Sequence, residues 1–87
     1  MIKTYDSIIQ EGAEILGCDW RLFKAQLYQE SRLDPHAVSP VGATGLAQIM
    51  PGTWSEWHER AGFYGADITD VEANVITGAT YLKWLWD

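Results

Sequence analysis

Apolar residues recur every three or four positions through most of this chain, and this spacing constrains its fold more than any other feature of the sequence. A first helix is predicted from about Thr4 to Leu16, followed by Gly17, a residue type that commonly caps helix C-termini. A second helix is predicted to begin after the N-cap Asp19 and to run to about Ser31. No segment makes a convincing sheet, so the predicted class is all-α.

Glycine and proline divide the middle of the chain. Residues 32–45 combine two prolines and two glycines with small and polar residues, which predicts a structured loop. Residues 45–50 form a short apolar stretch, for which one or two helical turns are predicted, closed by Pro51 and Gly52. This part of the chain therefore connects the predicted helices without forming a long element of its own.

Two further helices are predicted beyond this connection. One begins at Thr53 or Ser55 and ends before Gly62, and the other follows the N-cap Asp70 and carries an apolar stripe. The prediction is thus four to five helices with little or no sheet. They belong to one domain, residues 1–87, because single domains typically run from about 50 to 200 residues.

Composition and charge exclude several functions. The 12 acidic and 6 basic side chains give a net charge of -6, which disfavours broad binding to nucleic acids. Cys18 is the only cysteine, and neither His36 nor His58 has metal-ligand spacing, so no metal and no cofactor is expected. No stretch approaches the roughly 20 apolar residues of a transmembrane helix. The acidic opening segment does not resemble a signal peptide, so export is expected to lack a classical signal or the signal has been lost, and the localisation stays unknown.

Glu30 is the first candidate for chemistry. At about 100° per residue it falls beside Phe23, on the apolar side of the second predicted helix. Desolvation and the negative end of the helix dipole both raise a carboxyl pKa, as a general acid near neutral pH requires. A plainer interpretation stays equally open on periodicity alone: Glu30 is partly exposed and pairs with Arg32 or Lys24.

The chain from Glu30 onward reads ESRLDPHAVSPVGATGLAQIMPGTW and resembles the soluble lytic transglycosylase family of peptidoglycan-cleaving enzymes. Glu30-Ser31 is similar to the catalytic Glu-Ser of that family, and residues 39–51 are similar to its second motif. A later family pattern is matched by Asn74, Gly78, Tyr81 and Leu82. The resemblance implies a lysozyme-like fold and cleavage of the β-1,4 bond between N-acetylmuramic acid and N-acetylglucosamine, with glycan strands of peptidoglycan as the binding partner.

The resemblance also implies a mechanism. Glu30 would protonate the leaving glycosidic oxygen and then, as a base, help the muramyl C6 hydroxyl to attack the anomeric carbon, giving a 1,6-anhydro product. Ser31 would support Glu30, and Ser39 would hydrogen-bond near it and help to orient it. The groove for the saccharide would be lined by Gln48, Met50 and Tyr81. Plainer interpretations of single residues remain: Ser39 shapes a turn, Met50 fills the core, and Tyr81 packs.

The sequence departs from the family near its end. The family pattern usually continues to an alanine-tyrosine-asparagine-alanine-glycine motif, whereas this chain stops at Asp87, so a missing C-terminal portion is expected. Ile76 and Trp84 lie opposite the apolar stripe of the last predicted helix. They predict a surface that is covered by a second polypeptide, by another copy of the chain, or by a truncated C-terminal half.

Three functions remain open on the sequence. The preferred one is a small peptidoglycan lytic transglycosylase, of a phage or mobile-element type, that acts on the bacterial cell wall. A goose-type lysozyme would share the fold and the acid but transfer the sugar to water, so that its products have reducing ends. The third is a catalytically incomplete domain that binds glycan strands or serves in assembly.

Overall fold

Four helices make up the fold. The computed structural model describes residues 3–87, so Met1 and Ile2 of the predicted domain lie outside the described residues. In chain order the helices are α1 (Tyr5–Leu16), α2 (Trp20–Ser31), α3 (Pro51–Trp57) and α4 (Val71–Trp86). Residues 3–87 contain no strand, and only isolated β-bridges join Thr44 to Val38 and to Ile49. The all-α prediction is confirmed.

Local capping chemistry sets the ends of α1, α2 and α4. Gly17 follows α1 in the left-handed conformation, with φ of 72°, as a C-terminal cap does. The carboxylate of Asp19 accepts a hydrogen bond from the backbone N–H of Arg21, and that of Asp70 accepts one from Ala73. Each satisfies a helical N–H that has no partner inside its own helix. The predicted C-terminal end of α1 and the predicted N-terminal ends of α2 and α4 are therefore confirmed.

The connection between α2 and α3 differs from the prediction. Residues 45–50 form a turn-containing loop and not helical turns, because Gln48 has a positive φ of 50°. Pro51 opens α3 instead of closing the preceding segment, and this agrees with the tolerance of proline in the first helical turn. The helix ends at Trp57, well before Gly62.

The first half of α4 is the centre of the molecule. Every residue from Ala73 to Ala79 is buried, so this half is covered on all sides. Gly12 of α1 allows close approach on one side, since an added Cβ there would lie 3.2 Å from Cγ1 of Val75. Gly78 allows close approach on another side, where an added Cβ would lie 2.8 Å from Cβ of Ala47. Two glycines thus bring α1 and the 45–50 loop against the same helix.

The central position of α4 corrects the prediction for Ile76. Its side chain is only 9% exposed, so the chain itself buries it and no second polypeptide is needed to cover it. The prediction failed because helical periodicity assumes one buried face, whereas this helix is surrounded. Trp84 lies two turns further on and is 59% exposed.

Candidate active site

A cleft of about 280 Å³ lies between the C-terminal half of α2, the 45–50 loop and the second half of α4. Thr53 of α3 completes the wall beside the loop. The cleft brings together residues that are far apart in sequence. Four of the predicted site residues line it: Glu30, Gln48, Met50 and Tyr81.

Glu30 is the only charged side chain among the described residues that line this cleft. It sits in the last turn of α2, where it is exposed to solvent, and it lines the cleft together with Phe23. Partial burial raises the pKa of the Glu30 carboxyl above its usual range, and an interaction with the side chain of Gln26 works in the opposite direction. The carboxyl therefore has the environment of a group that stays protonated more readily than a surface glutamate.

The ion pairs of the plainer interpretation are not formed. The Lys24 ammonium lies 2.7 Å from a carboxylate oxygen of Asp6. The Arg32 guanidinium lies 5.9 Å from the centre of the Tyr28 ring. Within residues 3–87 no cation forms an ion pair with Glu30, so no salt bridge among these residues holds its carboxylate in the charged form.

Ser31 fixes the end of the helix that carries Glu30. Its side chain is buried, with 6% exposure, and its hydroxyl lies 2.9 Å from the carbonyl oxygens of both Leu27 and Leu46, between which its single proton is shared. The same hydroxyl accepts a hydrogen bond from the N–H of Leu33 at 3.2 Å. The chain reverses here, since Arg32 and Leu33 both have left-handed conformations. Ser31 thus ties the helix end, the reversal and the loop together beside Glu30.

Gln48 holds the loop in shape while it lines the cleft. Its side-chain Nε2 donates hydrogen bonds to the carbonyl oxygens of Ala37, at 3.0 Å, and Gly45, at 2.9 Å. Both N–H groups of the amide are therefore used by the backbone. The long polar side chain between Leu46 and Ile49 has the partners that its half-buried position requires.

Asn74 is a structural residue whose role the sequence reasoning missed. It is completely buried, and its Oδ1 accepts a hydrogen bond of 2.8 Å from the N–H of Ala47. Its Nδ2 donates to the carbonyl oxygens of Thr44, at 3.0 Å, and Ile68, at 2.8 Å. An added Cβ at Gly45 would collide with this amide. The available signal was an asparagine within the apolar stripe of α4, where a polar side chain must find partners.

Ser39 does not line the cleft. Its hydroxyl accepts a hydrogen bond from the N–H of Ala43 at 3.0 Å, and its own N–H donates to the Ala43 carbonyl at 2.9 Å. Among the described residues it makes no hydrogen bond to Glu30. These contacts correspond to the interpretation in which Ser39 shapes a turn.

The far side of the cleft is aromatic. Tyr81 is half-buried, and its ring meets the buried ring of Trp57 edge to face, with 5.6 Å between the ring centres. Trp84 packs on the same Trp57, at 5.1 Å. Met50 is 43% exposed at the edge of the cleft, so it does not fill the core. Tyr81 and Met50 therefore offer apolar surface to a ligand in the cleft.

Within residues 3–87, no three histidine, cysteine, aspartate or glutamate side chains are grouped closely enough to hold a metal ion. In the same part of the chain, no helix has the length and apolar character that crossing a bilayer requires.

Comparison with known proteins points to one family. The model of the transglycosylase SLT domain matches residues 7–87. The membrane-bound lytic murein transglycosylase F of Maricaulis maris is 39% identical over 86 residues, which is 99% of this chain and 18% of that protein. The protein of the same name from Alcanivorax borkumensis is 37% identical over 82 residues, 94% of this chain and 16% of its own length. The protein of the same name from Haemophilus influenzae is 40% identical over 67 residues, which is 77% of this chain and 13% of that protein.

The chain therefore spans less than a fifth of the length of these relatives. No solved structure matches it.

Proposed function

The chain belongs to the transglycosylase SLT domain family, and on that premise we propose that residues 1–87 form a murein lytic transglycosylase domain that acts on peptidoglycan glycan strands. The observation that carries this proposal is the position of Glu30. It is the one charged side chain among the described residues of the cleft wall, and partial burial raises the pKa of its carboxyl. A general acid near neutral pH needs this environment.

Glu30 supplies and recovers one proton in the proposed reaction. Its protonated carboxyl gives the proton to the glycosidic oxygen, while the bond from that oxygen to the muramyl anomeric carbon breaks and the leaving sugar keeps the electron pair as a hydroxyl. The Glu30 carboxylate then takes the proton of the muramyl C6 hydroxyl as its oxygen bonds to the anomeric carbon. The 1,6-anhydro ring closes and the acid is regenerated. One carboxyl is sufficient, whereas most glycosidases use a pair.

The other residues of the cleft have binding and supporting roles in this proposal. Met50 of the 45–50 loop and Tyr81 of α4 offer apolar surface to the sugar rings. Gln48 keeps the loop against the cleft through its two backbone hydrogen bonds, and Ser31 holds the end of α2 in place. Ser39 acts only through the turn that it closes.

The test is mass spectrometry of purified peptidoglycan incubated with the chain and with its Glu30→Gln variant. Glutamine keeps the shape of the side chain but cannot donate the same proton, so the rate of anhydromuramyl product formation should fall by about 100-fold or more. Glu14→Gln is the matched control, because Glu14 is exposed on α1 and does not line the cleft. It should retain the activity of the parent.

Each other outcome identifies an alternative function. Reducing-end products from the parent chain would assign it to hydrolysis, as in a goose-type lysozyme. Binding of glycan strands without any product would indicate a catalytically incomplete module. Equal activity of the parent and Glu30→Gln would show that Glu30 is not the acid.

A homo-oligomer or a second chain was predicted to cover Ile76 and Trp84, and one of these two residues is exposed. Ile76 is buried within the chain, so only Trp84 of the two predicted contact residues is available to another molecule. Its neighbours Leu85 and Trp86 are also exposed at the end of α4. The oligomeric state in solution tests this part of the proposal.

A further inference from the structure

Gln26 is close to Glu30 but has no place in the family resemblance. The two residues are four positions apart on α2, and side chains with this spacing are neighbours on a helix surface. Both line the same cleft. Gln26 is exposed and outside the hydrophobic core, so the packing of α2 does not account for it.

We propose that Gln26 is a positioning residue for Glu30, with a side-chain amide that donates a hydrogen bond to the Glu30 carboxylate once its proton has left. This inference rests on the proposed function of Glu30 as the acid. An amide N–H aimed at a group that becomes negatively charged during the reaction lowers the barrier, because the donor is already in place. The same hydrogen bond holds the carboxylate in one orientation for the return of the proton.

Among the amide side chains that line the cleft within residues 3–87, Gln26 is the one on the same helix as Glu30. From α2 the cleft receives Phe23 and Leu27, and from α3 it receives Thr53. Across the cleft, Tyr81 of α4 is the only other titratable side chain among the described lining residues. In the 45–50 loop, Gln48 donates both of its amide N–H groups to backbone carbonyls. No charged group contributes to the pKa shift of Glu30 within residues 3–87.

Two opposing effects then act at different stages of the reaction. Desolvation raises the pKa of Glu30 and favours the acid before the proton is given away. The interaction with the Gln26 side chain works in the opposite direction, so it lowers that pKa and favours the carboxylate afterwards. Removing the amide should therefore leave Glu30 protonated up to higher pH and also slow proton release.

The direct test is a titration of the Glu30 carboxyl carbon by NMR in the isotope-labelled chain, with its signal assigned through Glu30→Gln. In Gln26→Met, which keeps the length of the side chain but removes the donor, the titration midpoint should move to higher pH. Gln26→Glu should move it further, because it places a like charge beside the carboxylate. Gln29→Met is the matched control on the same helix. Gln29 does not line the cleft, so its variant should leave the midpoint unchanged.

Kinetics provides the second readout. Gln26→Met should lower kcat by about threefold to tenfold, with little change in KM, and shift the alkaline limb of the pH profile upward. A residue with a merely structural role would not shift that limb. An unchanged NMR midpoint in both folded Gln26 variants would overturn the inference. If the parent chain forms no product, the proposed function fails, but the NMR titration still decides whether Gln26 contacts Glu30.

Discussion

At the scale of single residues, two buried polar side chains on α4 differ in whether they have partners. Asn74 satisfies three backbone groups, those of Thr44, Ala47 and Ile68. Asn74→Leu would keep the number and branching of the side-chain heavy atoms but remove all three hydrogen bonds. The Thr44 carbonyl would keep its bond from the N–H of Ile49, whereas the Ala47 N–H and the Ile68 carbonyl would lose the partner that Asn74 supplies. The free energy of unfolding should therefore fall by about 3 kcal/mol in urea denaturation. For a small domain this is a large part of the total.

Thr77 is the second of these buried polar residues, and it differs from Asn74 in its hydrogen bonding. Its hydroxyl is buried but has no hydrogen-bond partner within the described residues. Thr77→Val removes that hydroxyl at nearly constant volume, so stability should stay the same or rise by up to about 1 kcal/mol. If both variants lost stability equally, disturbed packing would explain the result better than lost hydrogen bonds.

At the scale of elements, two helical glycines should respond oppositely to alanine. An added Cβ at Gly78 would lie 2.8 Å from Cβ of Ala47 and would push α4 away from the loop, so Gly78→Ala should lower stability by about 1–3 kcal/mol. Gly52 in α3 has nothing within 4 Å of an added Cβ. Gly52→Ala should raise stability by about 0.5–1 kcal/mol, because alanine is the better helix former. Thermal unfolding of both variants checks the signs, and two changes of the same sign would contradict the packing described for α4.

The same scale shows what the sequence could and could not predict. Gly17, Asp19 and Asp70 act on neighbouring backbone groups, so helix ends were predictable from local chemistry. The 45–50 loop was not, because its shape depends on the distant side chain of Asn74 and on the positive φ of Gln48. An apolar run of this length looks the same in a helical turn and in a loop pinned by buried amides.

The residues that line the cleft were also predictable only in part. The resemblance to a known family indicated Glu30, Gln48, Met50 and Tyr81, and the fold brings all four to one cleft. It did not indicate Gln26, because a glutamine one turn before a glutamate is common on helix surfaces. Only the structure shows that Gln26 and Glu30 line the same cleft.

At the scale of the whole molecule, net charge and exposed apolar surface act against each other. The charge of -6 keeps copies of the chain apart at pH 7, while Trp84, Leu85 and Trp86 expose apolar surface at the end of α4. Near the sequence pI of about 4.6 the repulsion vanishes, so self-association should increase as the pH falls towards that value. Sedimentation velocity at several pH values measures this.

Two variants locate the surface responsible. Trp84→Gln should weaken the association, whereas Leu22→Gln, which removes an exposed apolar side chain from α2, should not. A chain that stays monomeric from pH 7 to 5 would argue against a second copy as the molecule that covers Trp84. Equal effects of the two variants would indicate non-specific aggregation.

The hydrogen bonds of Asn74 also determine when the cleft comes into existence. They join residues separated by 27 and 30 positions, and a chain is synthesised from its N-terminus. While α4 is still inside the ribosome, the emerging chain already contains Glu30, Gln48 and Met50, but the peptide groups of Thr44 and Ala47 lack the amide that binds them. Until α4 arrives, the cleft beside Glu30 lacks the wall that Gly78, Tyr81 and Leu82 form. The order of translation thus delays the completion of this cleft until its last wall has been made.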